Sequence, residues 1–219
     1  LPALPAGAQR TFACYFYPTL LEAREQTLVR GGDFRVRISD AGVAIVCGNT
    51  RVDVSAPLRE RRWHRLVVSL GARLDVHVER LPAAPSEEGS KVCFTGAARI
   101  DANFTSSDWE LARESPGCGH FNGRIEAVRI YGVAMDVDAA LRDLEAARPS
   151  NPDLLGAWDF SLGIETSILT DISGHARHGS AHQMPTRAVR GARWRGDVFN
   201  WREDPTQYAA IHFHEDDLV

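Results

Sequence analysis

Hydrophobic and polar residues alternate along much of the chain. In "DFRVRIS" (33–39), Phe34, Val36 and Ile38 fall on one side and Arg35 and Arg37 on the other. In "RLDVHVE" (73–79), Leu74, Val76 and Val78 alternate with Arg73, Asp75, His77 and Glu79. A period of two is the mark of a strand with one face in a core and the other in water. The same reading predicts strands over 11–18, 42–48, 50–56, 63–70, 91–97, 123–132, 154–161 and 207–214. Gly- or Asn-bearing turn signals at 30–33, 40–42, 48–50 and 70–73 separate several of them. Such residues tolerate the positive φ that tight turns demand. Many short strands punctuated in this way predict an antiparallel β-sandwich.

One segment breaks the period. "DVDAALRDLEAAR" (136–148) places Val137, Ala140, Leu141 and Leu144 on one helical face, with Asp136 as N-cap and Pro149 after the end. A single short helix packed on the sandwich is expected. Segments 100–121 and 162–206 are polar and turn-rich and read as long loops.

Composition narrows the function classes. The 219 residues are 44% hydrophobic, enough for one sizeable core. Lys and Arg total 25 against 29 Asp and Glu, a net charge of −4, and no long basic run appears. A nucleic-acid partner is not expected. No apolar run approaches the ~18 residues that span a membrane, so no membrane partner is expected either. No signal peptide is visible, and a cytoplasmic location is the expectation. The first residue is not Met, which suggests a fragment or a processed product. Cys14, Cys47, Cys93 and Cys118 form no CxxC pair and sit in strand-like text. Reduced, buried thiols are the favoured reading, with disulfides left open.

Three stretches resemble the laminin G-like or concanavalin A-like lectin and glucanase sandwich. They are "TFACYFYPT", "WHRLVVSLGARLDVHVE" and "FNGRIEAVRIYGVAMD", in that order within 10–132. Trp63 would start its strand as a core anchor, Gly71 would supply a tight turn, and Gly123 would let the chain bend before Ile125. "LLGAWDFSLGIETSILTDISGHARHG" resembles the first strand and loop of such domains, yet here it follows the helix. The resemblance implies a jelly roll, circularly permuted, in which 154–161 completes the sheet.

A narrower resemblance lies in "MPTRAVRGARW" and "WREDPTQYAAIHFHEDDL". Both look like the large subunit of the N,N-dimethylformamidase family, in which a lectin-like domain precedes an iron-dependent catalytic domain that hydrolyses an amide. The resemblance implies that 1–206 is the sandwich and that 207–219 begins a following domain. The family's iron ligands, a Tyr, a His and a Glu, come from that later domain, and none is matched here. No catalytic residue and no cofactor is therefore assigned to this chain. The implied partners are its own C-terminal catalytic domain and other subunits.

His212, His214 and Asp216 would share one face of a strand and could offer half a metal site. Two or three ligands on one strand do not close a site, and an entering strand of the next domain is favoured. His175, His178 and His182 lie near Asp171, whose Asp-x-Ser-Gly setting suits an Asx-type turn better than a metal. Nothing in the sequence supports the loop-bound Ca²⁺ of some sandwich relatives. No Gly-x-Ser-x-Gly elbow and no facing pair of carboxylates suggests a hydrolytic centre. Trp109, Trp158, Trp194 and Trp201 could stack on a sugar or be buried anchors, and anchoring is favoured. Arg187, Arg190, Trp194 and Trp201 have the aromatic-plus-Arg composition of a contact surface. The expected function is a non-catalytic accessory domain. The alternatives are a carbohydrate-binding module and a small metal-dependent hydrolase.

Overall fold

The computed structural model describes residues 1–82, 89–96, 104, 108–114, 119–146, 148–182, 185 and 192. Contacts divide the chain into a unit Leu1–Val189 and a unit Arg190–Val219, and only Ala192 of the second is described. The first unit carries β1 (Arg10–Pro18), β2 (Gln26–Gly31), β3 (Phe34–Ser39), β4 (Gly42–Cys47), β5 (Thr50–Ser55), β6 (His64–Leu70) and β7 (Leu74–Arg80). It continues with β8 (Ser90–Gly96), β9 (Trp109–Leu111), β10 (Gly123–Tyr131), helix α1 (Val137–Glu145), β11 (Leu154–Asp159), β12 (Ile168–Asp171) and β13 (Gly179–Ser180).

The strands form two antiparallel sheets. One has the order β13-β12-β11-β10-β1-β6-β7-β8 and the other β5-β4-β3-β2-β9. One apolar core joins them, with Phe12, Phe16, Val68, Ile130 and Trp158 from the first sheet and Phe34, Val36, Ile45 and Trp109 from the second. The protein is an antiparallel β-sandwich with one short helix. No helix among the described residues is long and apolar enough to cross a membrane.

The alternating segments behave as their patterns require. Phe34, Val36 and Ile38 are buried while Arg35 and Arg37 reach the surface. Leu74, Val76 and Val78 line the core. The late strand β11 lies in the large sheet, pairing Val128 with Trp158 and Arg129 with Ala157. It fills the place beside β10 and would otherwise leave that strand as an edge.

Helix α1 covers the outer face of the large sheet over β1, β6 and β7. Asp136 caps it by accepting from the Ala139 N–H at 3.0 Å. Ala140, Leu141 and Leu144 face inward, as the spacing predicts. The connection leading into α1 is pinned by buried hydroxyls. Thr11 Oγ1 donates to Val133 O and accepts from Met135 N, and Ser69 Oγ donates to Met135 O.

Several expectations are corrected. Trp63 is not a core anchor: it is half-buried just before β6 and rests against Tyr17, while the neighbouring His64 is the buried ring. Gly71 does lie in the tight turn between β6 and β7, its N–H donating to Arg73 O at 3.0 Å, and a Cβ there would sit 2.6 Å from the Ala134 Cβ. The presumed loop 100–121 contains β9, and 162–206 contains β12 and β13. Strand β2 was not foreseen, because a bulge between Thr27 and Val29 breaks the alternation and leaves Leu28 and Val29 both fully buried. Cys14 and Cys47 are buried free thiols, but Cys93 is free and exposed, on the outer side of the edge strand β8.

Candidate interaction surface

Asp171 is the best-connected of the polar residues singled out in the sequence. It ends β12, opposite Trp158 of β11, and is only 7% exposed. Its carboxylate accepts from the backbone N–H of Ala157 at 3.1 Å, Ser173 at 2.9 Å and Arg177 at 2.8 Å, and from Ser173 Oγ at 2.9 Å. Burial alone would raise its pKa. The donors from Ser173, Ala157 and Arg177 outweigh burial and hold it below the usual carboxylate range. The Asx-type turn is therefore real, and it folds 171–177 back on the sheet so that Arg177 O accepts from Trp158 Nε1 at 2.8 Å.

The nearby histidines serve the same knot. His178 Nδ1 accepts from the Asp171 N–H at 3.2 Å. His175 Nε2 lies 2.9 Å from Leu154 O, as a donor. Among the described residues, no three His, Cys, Asp or Glu side chains converge as a metal site.

The tryptophans divide by burial. Trp109 and Trp158 are 2% and 1% exposed and are core anchors. Each ring lies over a glycine. A Cβ on Gly31 would meet the Trp109 ring at 2.4 Å, and one on Gly156 would meet the Trp158 ring at 2.3 Å. Trp194 and Trp201 lie outside the described residues, as do Arg187, Arg190, His212, His214 and Asp216.

The outer face of the five-stranded sheet carries two groups of ion pairs. Arg35 Nε donates to Glu114 at 2.6 Å, and Thr27 Oγ1 donates to the same carboxylate at 2.8 Å. Arg37 lies 3.3 Å from both Glu114 and Glu25, and Glu25 also pairs with Arg51. Arg30 and Arg113 share Glu110, at 2.6 and 2.7 Å. The Arg51 hydrogen bond first, and then Arg37, hold the Glu25 carboxyl below its ordinary range. The alternating arginines of β3 were legible in the sequence. Their shared partner Glu114 was not, because it sits in the stretch read as loop.

No family model matches the chain. It is similar to the beta subunit of N,N-dimethylformamidase. The Alcaligenes sp protein is 40% identical over 161 residues, which is 70% of this chain and 20% of that relative. The Paracoccus aminophilus protein is 38% identical over 104 residues, 45% of this chain and 14% of that relative. The matched stretch thus spans a fifth or less of these relatives' length. Among solved structures, a Bacteroides ovatus protein described as a putative carbohydrate binding protein superposes with a TM-score of 0.61 and 18% identity, over 82% of this chain and 54% of that one. A heptameric SAP-like pentraxin from Limulus polyphemus gives a TM-score of 0.51 at 13% identity, over 83% and 87%. These structural likenesses establish the sandwich fold.

Proposed function

We propose that this chain is the non-catalytic, lectin-like sandwich of an N,N-dimethylformamidase-type amide hydrolase subunit, and that its work is structural. The observation that carries this reading is the 40% identity to a dimethylformamidase beta subunit, confined to a fifth of that relative. Four-fifths of such a subunit would remain to house the chemistry. Asp171 is engaged by backbone donors, and Arg30 and Arg35 of the small sheet are paired with glutamates. In this reading the sandwich belongs to the laminin G and concanavalin A group and packs on the parent's catalytic domain or on a neighbouring subunit. Residues 185–206, with Arg187, Arg190, Trp194 and Trp201, supply the contact. Iron would be held by the parent's catalytic residues, not by this chain, and the enzyme would work in the cytoplasm.

The test is assembly. Full-length parent and a form lacking 1–206 are compared by sedimentation velocity. A smaller assembly, or a soluble catalytic part that no longer associates, supports the contact role; unchanged assembly sinks it. Calorimetric titration with simple sugars covers the alternative of a carbohydrate-binding module, which the description of the Bacteroides ovatus neighbour suggests. Saturable sugar binding would replace the structural reading.

A further inference from the structure

On the outer face of the large sheet, His77 of β7 is paired directly with Cys93 of β8. The Cys93 Sγ lies 3.3 Å from His77 Nδ1, and Glu79 Oε2 lies 3.1 Å from His77 Nε2. Arg65 Nε donates to the same Glu79 oxygen at 2.5 Å and reaches Glu145 of α1 with its Nη1. The ring of His77 is wholly buried, whereas Cys93 is exposed.

This order of groups assigns the protons. Burial pushes the Glu79 carboxyl up, but the Arg65 hydrogen bond first, and then the others it receives, hold it below its ordinary range. An ionised carboxylate only accepts, so His77 Nε2 must carry the proton it donates. Burial also keeps the imidazole neutral, with its pKa lowered despite the Glu79 hydrogen bond. The Nδ1 lone pair is then left facing the Cys93 S–H. A nucleophile within reach of a base, with the base oriented by a third group, is the general geometry of an activated thiol.

We propose that Cys93 is a base-assisted reactive thiol and a modification site for small disulfides. The S–H proton passes to His77 Nδ1, and the Cys93 thiolate attacks one sulfur of R–S–S–R. The Cys93–S bond forms as the S–S bond breaks, and the departing RS⁻ takes the proton back from His77 Nδ1. The products are Cys93–S–S–R and RSH. The electrons balance within the disulfide, and no further oxidant is needed. Position favours such a partner: an exposed thiol on an edge strand meets small solutes directly. Cys14 and Cys47 are buried and present no such access. The charged groups acting on His77 are Glu79 of its own strand, Lys91 of β8 and Arg65 of β6, and Arg65 in turn pairs with Glu145 of α1. The inference stands apart from the parent's amide chemistry.

The test treats the protein with glutathione disulfide and follows the Cys93 peptide by mass spectrometry between pH 6 and 9. An unassisted thiol gains about tenfold in rate per pH unit over much of this range, because its thiolate fraction does. Assisted exchange at Cys93 should be flatter near neutrality and at least about tenfold faster at pH 7 than in Glu79→Gln or His77→Gln. All forms should converge at pH 9, where solvent hydroxide replaces His77 as the base. The wild-type profile is decisive even if His77→Gln fails to fold. A wild-type rate rising tenfold per unit from pH 6 to 8, parallel to free reduced glutathione, overturns the proposal, as does an unchanged pH 7 rate in a folded Glu79→Gln.

Discussion

His64 is a histidine that the fold keeps neutral. It is 1% exposed, stacked on Phe16 with ring centroids 5.0 Å apart, with Nδ1 2.9 Å from Arg62 O. Burial pushes its pKa down to about 4. Above about pH 6.5 the folded and unfolded chains both hold it neutral, and its contribution to stability is complete. As pH falls from there towards 4, only the unfolded chain takes up a proton, so stability drains away. Between pH 7 and pH 5 the loss should be on the order of 2 kcal/mol from this group. Urea unfolding of wild type and His64→Asn at the two pH values measures it: the wild type should lose more. Equal losses would place the pH sensitivity elsewhere. Gly31 makes a second prediction at this scale. A methyl group there meets the buried Trp109 ring, so Gly31→Ala should cost about 1–3 kcal/mol and shift Trp fluorescence. A silent substitution would mean that the ring has room to move.

Among the elements, α1 shows both what sequence pattern captures and what it leaves out. The cap at Asp136 and the apolar stripe of Ala140, Leu141 and Leu144 were visible in the spacing. The tie to the sheet was not. Asp143 Oδ2 accepts from Arg129 Nη1 at 3.0 Å and from Tyr131 Oη at 2.5 Å, and Arg129 is buried in β10. The strand pattern over 123–132 gives no sign that Arg129 will be buried, because nothing local says that a helix will cover that face. Removing the carboxylate strands a buried guanidinium, so Asp143→Ala should destabilise by about 3–5 kcal/mol. The exposed Asp138→Ala in the same helix should cost under about 0.5 kcal/mol, and thermal unfolding of the two side by side makes the comparison. Bulges set the other limit of legibility. The bulge in β2 puts two successive hydrophobic residues into the interior and erases the alternation that identified its neighbours. Strand β9 is only three residues long and is defined by its pairing with β2, which no local pattern announces.

Across the whole molecule, the sandwich depends on contacts between residues far apart in sequence. Strand β11 follows the helix in sequence but pairs with β10 in the large sheet, and Asp171 then locks the returning turn beneath Trp158. The Asp-x-Ser-Gly text showed the turn, and the "LLGAWDF" text showed the strand. Their place in the sheet rested on resemblance, since topology is a property of the assembled whole. The Asp171 carboxylate is occupied by the backbone N–H groups of Ala157, Ser173 and Arg177 and by the Ser173 hydroxyl, which close the turn. The central functional claim is that this sandwich supports an amide hydrolase without performing its reaction. Formate release from N,N-dimethylformamide, measured for the purified chain alone and for the full-length parent, tests it most directly. The expected result is turnover by the parent and none above buffer by the isolated chain. Stoichiometric, saturable turnover by the isolated chain would contradict it.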